Sequence, residues 1–209
     1  MQKKEKKAKS WIKWGGLLAV ILVIGLVIGI AGRQNQTLPL GELTEDFRGT
    51  QLKLGSKVPD FEFVDAQGNT QRLYKILQEK KLVVLNFWFI NCPYCVEEFP
   101  LMERTYAQYK DSVQILALNP YDSNVQIQGF QGIYGLSFPM GEDVCHLSSG
   151  FGVGGFPTSV FVDRYGVACL IVPGAIRSES QLQRAFAYFA AEDYETVLLT
   201  SLNAISEKK

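Results

Sequence analysis

The chain has 209 residues, 47% of them hydrophobic, enough for one compact domain with extensions. Its 21 basic and 21 acidic residues balance, but six Lys against the single acid Glu5 crowd into residues 1–13, leaving 15 Lys and Arg against 20 Asp and Glu elsewhere. That mildly acidic remainder lacks the basic footprint a phosphate backbone requires, which argues against nucleic acid as a partner.

The basic head, residues 1–13, leads directly into residues 14–32, an uncharged and largely apolar run that includes Leu17-Leu18-Ala19-Val20-Ile21-Leu22-Val23-Ile24. As a helix this run spans roughly 28 Å, close to the hydrocarbon thickness of a bilayer. Lysines before it and only Arg33 just after it predict a transmembrane helix with a cytoplasmic N-terminus. The alternative is a cleaved signal peptide, whose apolar region usually runs about 7–15 residues, shorter than this one. Residues 33–55 are polar and weakly patterned and read as a spacer, so the folded domain is expected over 56–209, its C-terminal end a helical extension.

Within the domain, Val58 to Val64 alternates apolar and polar and meets a turn at Asp65–Asn69, the pattern of a strand entering a hairpin. A second short strand and a helical turn follow over 70–78. Leu82 to Phe89 is a continuous apolar run of strand length, suited to a sheet interior. Beyond it, Phe99, Met102, Tyr106 and Tyr109 recur at helical spacing, with Pro100 inside the pattern. A buried strand is expected over 113–118, helices over 124–134 and 144–151, strands over 158–162 and 167–172, and a last helix from a cap at Ser178 to Ala191. Its aromatic residues Phe186, Tyr188 and Phe189, with Tyr194 beyond, are expected on the core face. This order predicts an α/β fold, a mixed central sheet flanked by helices with an N-terminal hairpin.

Cys92-Pro93-Tyr94-Cys95 stands between the apolar strand and the long helix. At a helix start, outward-pointing N–H groups and the positive end of the dipole favour thiolate. A thiol of pKa ~8.5 is about 3% ionised at pH 7, whereas one lowered to ~7 is about half ionised. Cys92 is therefore the expected nucleophile and Cys95, one turn in, the expected resolving thiol. The couple itself would carry the electrons, with no cofactor and no metal.

The segment from Val84 through the Cys pair to Pro100 resembles the active-site region of TlpA/ResA-type thioredoxin-like proteins, within the redoxin or AhpC/TSA-like superfamily. The similarity extends from about Ser56 to Ala191 and includes Val58-Pro59-Asp60-Phe61 and Gly155-Phe156-Pro157-Thr158. It implies a thioredoxin-like fold and a membrane-anchored, extracytoplasmic thiol–disulfide oxidoreductase. It also implies a cis peptide at Pro157 packed against the Cys pair, with the backbone of Phe156 helping to hold a substrate strand. Trp88 is expected on that substrate-binding surface. Glu98, three residues past Cys95, matches an acid that assists proton transfer in some members; otherwise it only complements the helix dipole. Anchored relatives imply reduction of disulfides in exported proteins, with a membrane electron donor restoring the dithiol. The family often has Trp before the first Cys where this chain has Asn91, and Tyr94 is also a departure, which leaves the redox direction open.

Other readings exist. A zinc site would draw on Cys145-His146, but adjacent ligands beside a helix-opening pair are unlike spaced zinc ligands. A copper-binding module of this fold would need a later His, and His146 is the only one. A thiol peroxidase would need Thr at the position of Phe89. A purely structural disulfide is the remaining alternative. Cys145 and Cys169 either form a second disulfide or remain a free thiol and a small buried hydrophobe.

Overall fold

The computed structural model describes residues 46–191. The basic head, the transmembrane helix expected over 14–32, the first part of the spacer and the C-terminal extension past residue 191 lie outside the described residues. Among the described residues, no helix is long and apolar enough to cross a membrane.

The elements run β1 (Glu62–Val64), β2 (Thr70–Arg72), α1 (Leu73–Glu79), β3 (Leu82–Phe87), α2 (Pro93–Tyr109), β4 (Val113–Asn119), α3 (Asn124–Tyr134), β5 (Met140–Glu142), α4 (Leu147–Gly150), β6 (Thr158–Asp163), β7 (Ala168–Pro173) and α5 (Glu179–Phe189). The strands β5-β4-β3-β6-β7 form one sheet. β3, β4 and β5 are parallel, while β6 is antiparallel to β3 and β7 to β6. The predicted mixed sheet is present, and β1 and β2 form the separate hairpin.

Every residue of β3 is buried, because both faces of the central strand are covered. Its side chains alternate between two cores. Leu82 and Val84 join Trp88, Phe99, Met102, Phe130, Phe161 and Phe186 on the face covered by α2, α3 and α5. Val83, Leu85 and Phe87 join Phe61, Phe63, Leu73 and Val160 on the face covered by α1 and the hairpin. The strand period of two thus divides one apolar run between two layers. Of the aromatics assigned to the last helix, Phe186 is buried, Phe189 is half-buried, and Tyr188 is largely exposed.

Several boundaries have visible chemical causes. Ser123 and Gln126 form a capping box at the start of α3, and Gly135 ends it in the left-handed region. Ser178 caps α5 by accepting the N–H of Gln181. His146 is exposed at the N-cap position of α4, but its side chain makes no cap bond. Asp143 does this instead, accepting from Leu147 and Ser148 N–H at 2.8 Å each.

Three differences from expectation stand out. β5 has no counterpart in the sequence reading, because three residues on a sheet edge carry no periodicity. Part of the presumed spacer belongs to the fold: Phe47 is buried and its N–H donates to Cys145, and Leu52 N–H donates to Gly150. Residues 47–52 therefore pack with the domain. Cys145 and Cys169 pack with the cores on opposite faces of the sheet, which excludes a disulfide between them.

The hairpin rests on the β5 edge through Gly141. A Cβ at this position would collide with the Val64 carbonyl and come within 3.1 Å of the Asp65 backbone. Backbone cannot swing aside as a flexible side chain does. Gly141→Ala should therefore cost roughly 1–3 kcal/mol through overpacking, read as a lower urea midpoint. An unchanged midpoint would show that the hairpin makes no rigid contact there.

Candidate active site

Strands β3 and β6 are paired so that Phe87 lies opposite Thr158. The residue after β3 and the residue before β6 consequently meet at one rim of the sheet. From β3 the chain runs through Trp88 and the turn at 89–91 to Cys92. On the β6 side lies Pro157, buried and joined to Phe156 by a cis peptide. The Pro157 carbonyl accepts the Gly174 N–H at 2.8 Å, and Thr158 Oγ1 donates to the Gly155 carbonyl at 2.9 Å, so the loop is held on both sides.

Cys92 is the N-cap of α2 and Pro93 fills the first helical position, where its missing N–H costs nothing. Cys92 and Cys95 form a disulfide, with Cα atoms 5.3 Å apart. The Cys95 N–H donates to Cys92 Sγ at 3.2 Å. A donor aimed at this sulfur stabilises negative charge on it, in the direction that the helix N-terminus already favours. Cys92 is 3% exposed and Cys95 fully buried. The expected order of exposure is kept, but Cys92 is far more covered than a rim position suggests.

Glu98 is the most constrained ionisable group near the pair. It is buried one turn beyond Cys95, with Oε1 accepting from Asn86 Nδ2 and Oε2 from the Ile176 N–H, both at 2.8 Å. The Asn86 amide also donates to Ser159 Oγ at 3.0 Å. Burial pushes the Glu98 carboxyl up to about 7, against the opposing pull of the Ile176 N–H and the Asn86 amide. Its oxygens face Asn86 on β3 and Ile176 in the loop before α5.

The structure brings Cys92, Cys95, Phe156 and Pro157 to one rim, with Glu98 beneath. It does not bring Trp88 to the surface. Trp88 is wholly buried between Phe99 and Phe130, so the expected substrate contact is corrected to a core role. Its indole shares one core cluster with Cys92 and Cys95.

Several residues here escaped the sequence reading. Asn86 had a signal, as the one polar residue in the run 82–89. The Ile176 N–H had none, because a backbone group leaves no mark in composition. Arg177 lies 5.4 Å from the Tyr94 ring centroid, a cation–π contact that ties the loop before α5 to the redox motif. Asp122 Oδ2 accepts the Ile90 N–H at 2.8 Å and so fixes the turn leading to Cys92.

Residues 54–168 match the AhpC/TSA family. The chain is similar to thiol-disulfide oxidoreductase ResA of Halalkalibacterium halodurans, 28% identical over 178 residues that cover 84% of this chain and 92% of that protein. It is also similar to ResA of Geobacillus kaustophilus, 32% identical over 163 residues, covering 77% of this chain and 87% of that protein. A crystal structure from Chlorobium tepidum described as a thiol:disulfide interchange protein DsbE shares the fold with a TM-score of 0.60. It is 26% identical and covers 68% of this chain and all of its own. The chain therefore belongs to the AhpC/TSA family, as a TlpA/ResA-type thiol–disulfide oxidoreductase with a thioredoxin-like fold.

Proposed function

We propose that this oxidoreductase reduces disulfides in exported proteins from an extracytoplasmic position, tethered by the apolar segment at 14–32. The observation that carries the chemistry is the Cys92–Cys95 disulfide at the start of α2, with the Cys95 N–H directed at Cys92 Sγ. The basic head before residue 14 supports the orientation.

In the dithiol state, the Cys92 thiolate attacks one sulfur of the substrate disulfide. The substrate S–S bond breaks, its other sulfur leaves as a thiolate and takes a proton, and a mixed disulfide to Cys92 remains. Cys95 then loses its proton to the Glu98 carboxylate and attacks Cys92 Sγ. The second substrate sulfur leaves and is protonated. The substrate has gained two electrons and the Cys pair has lost two. A membrane electron donor returns them. Phe156 and Pro157 would line the seat of the substrate segment.

Glu98 suits this step because a carboxyl titrating near 7 both accepts and returns a proton at neutral pH. Its place one turn along the helix from Cys95 puts it on the resolving side of the pair. A carboxyl at its ordinary value would be a poor acid there, and a carboxyl held far above 7 a poor base.

Cys95→Ser should accumulate a reductant-sensitive mixed disulfide with a model disulfide peptide, whereas Cys92→Ser should accumulate none, as read by mass spectrometry of the intact protein. If neither substitution alters exchange, the catalytic assignment is wrong.

Glu98→Gln should slow resolution of the mixed disulfide roughly a hundredfold and remove the inflection near pH 7 from its rate profile. The same substitution has a stability signature. The folded carboxyl titrates at about 7, above its ordinary 4.5. Its contribution to stability is full below the lower value and is lost as pH rises through the upper one. Relative to Glu98→Gln, the oxidised protein should lose on the order of 3 kcal/mol between about pH 4.5 and 8. Urea unfolding of both proteins across that window measures it. Parallel curves would show that Glu98 does not titrate there.

A further inference from the structure

Tyr121 is 69% exposed, yet its ring is firmly placed. It meets Phe89 at 5.6 Å and Phe156 at 5.5 Å between centroids, and those two rings meet each other at 5.5 Å. The backbone beneath it is fixed as well. Asn119 Oδ1 accepts the N–H groups of both Tyr121 and Asp122 at 2.9 Å. Asp122 in turn accepts from the Asn119 amide and from the Ile90 N–H, latching this loop to the turn that leads into Cys92.

Nothing in the exchange cycle uses this ring. An exposed aromatic leaves apolar area in water, a cost that the three-ring cluster offsets only in part. What the arrangement supplies is preorganisation: a large amphipathic surface with little rotational freedom left to lose on binding. The surface is also continuous with the redox site, because Phe156 is both a member of the cluster and the residue before cis-Pro157.

Tyr121 also lines a cavity of about 590 Å³, together with Asp122, Glu142, Asp143 and His146. These carboxylates accept from neutral N–H donors. Among the described residues, no Lys or Arg forms an ion pair with them. The ledge is apolar and the ground beyond it is negative.

We propose that Tyr121 is a specificity-determining contact for polypeptide substrates. The Phe89–Tyr121–Phe156 ledge takes an apolar side chain close to the substrate cysteine, and the carboxylate-lined cavity takes a basic side chain further along the same extended segment. This inference rests on the redox reading above and names its substrate class: a disulfide-bearing segment with apolar and then basic character. A small disulfide reaches Cys92 without touching the ledge.

The test uses the full-length protein in its dithiol state with three substrates. These are a synthetic peptide holding one internal disulfide followed by Leu and Lys, the same peptide with Ser and Glu at those positions, and oxidised glutathione. Tyr121→Ser should raise KM for the first peptide about tenfold, the scale of one lost aromatic contact. Its kcat, and the rates with the second peptide and oxidised glutathione, should stay unchanged. Tyr121→Phe should restore KM, since the ring and not the hydroxyl makes the contact. Glu142→Gln should raise KM for the Leu-Lys peptide at low ionic strength and have no effect at high ionic strength. An unchanged KM in Tyr121→Ser, or an equal loss on all three substrates, overturns the proposal. Failure of the unaltered protein to reduce any of the three overturns the redox reading and this proposal with it.

Discussion

Two strands of the central sheet end at the same level, and the rest of the site depends on that register. With Phe87 opposite Thr158, the chain leaving β3 and the chain entering β6 emerge side by side. One carries the Cys pair and the other the cis proline. A slip of one residue would turn every side chain of β6 to the wrong face, removing Val160 and Phe161 from the two cores they fill. The register is thus enforced by packing on both faces of the sheet. The loop of the Cys pair and the cis-proline loop inherit their proximity from it.

The same sheet positions Glu98. Asn86 points from β3 toward α2 and Ser159 lies opposite it on β6, so the Asn86 amide bridges Ser159 Oγ and Glu98. Ile176 closes the other side from the loop before α5. Two segments distant from α2 converge on its carboxyl, and β6 supports one of them through Ser159. Burying a carboxylate on two neutral hydrogen bonds is unfavourable compared with water, and its raised titration point follows directly.

Much of this was legible in the sequence because its causes are local. The 82–89 run announced a central strand, Cys92-Pro93 announced a helix start, and Ser178 announced a helix cap. What stayed hidden depends on contacts between distant segments. β5 exists because β4 offers it an edge, and Phe47 is buried because α4 lies beneath it. Trp88 shows the limit of motif reading: its neighbours in sequence lie at the rim, but alternation directs its own indole into the core between Phe99 and Phe130. The aromatic ledge could not be read at all. Phe89, Tyr121 and Phe156 belong to three different loops, and only the parallel pairing of β3 with β4 and the antiparallel pairing with β6 bring them together.

Burial also bears on the order of events at the Cys pair. Cys95 has no exposed surface, whereas Cys92 keeps a small window at 3%. An incoming sulfur must approach a disulfide along the S–S axis, and only the Cys92 end offers any approach from solvent. In the proposed cycle, re-reduction by an electron donor therefore begins with attack on Cys92, just as substrate reduction begins with attack by it. Both half-reactions use the same window, beside the same cis-proline loop, so donor and substrate compete for one surface. A ledge that discriminates among polypeptides would then act on both partners. An extended segment with apolar and basic residues would be admitted as substrate, and the donor would have to present a segment compatible with the same ledge. Specificity at this site is consequently a property of the ground around Cys92, set by Phe89, Tyr121 and Phe156, while the sulfur chemistry beneath it stays common to every partner.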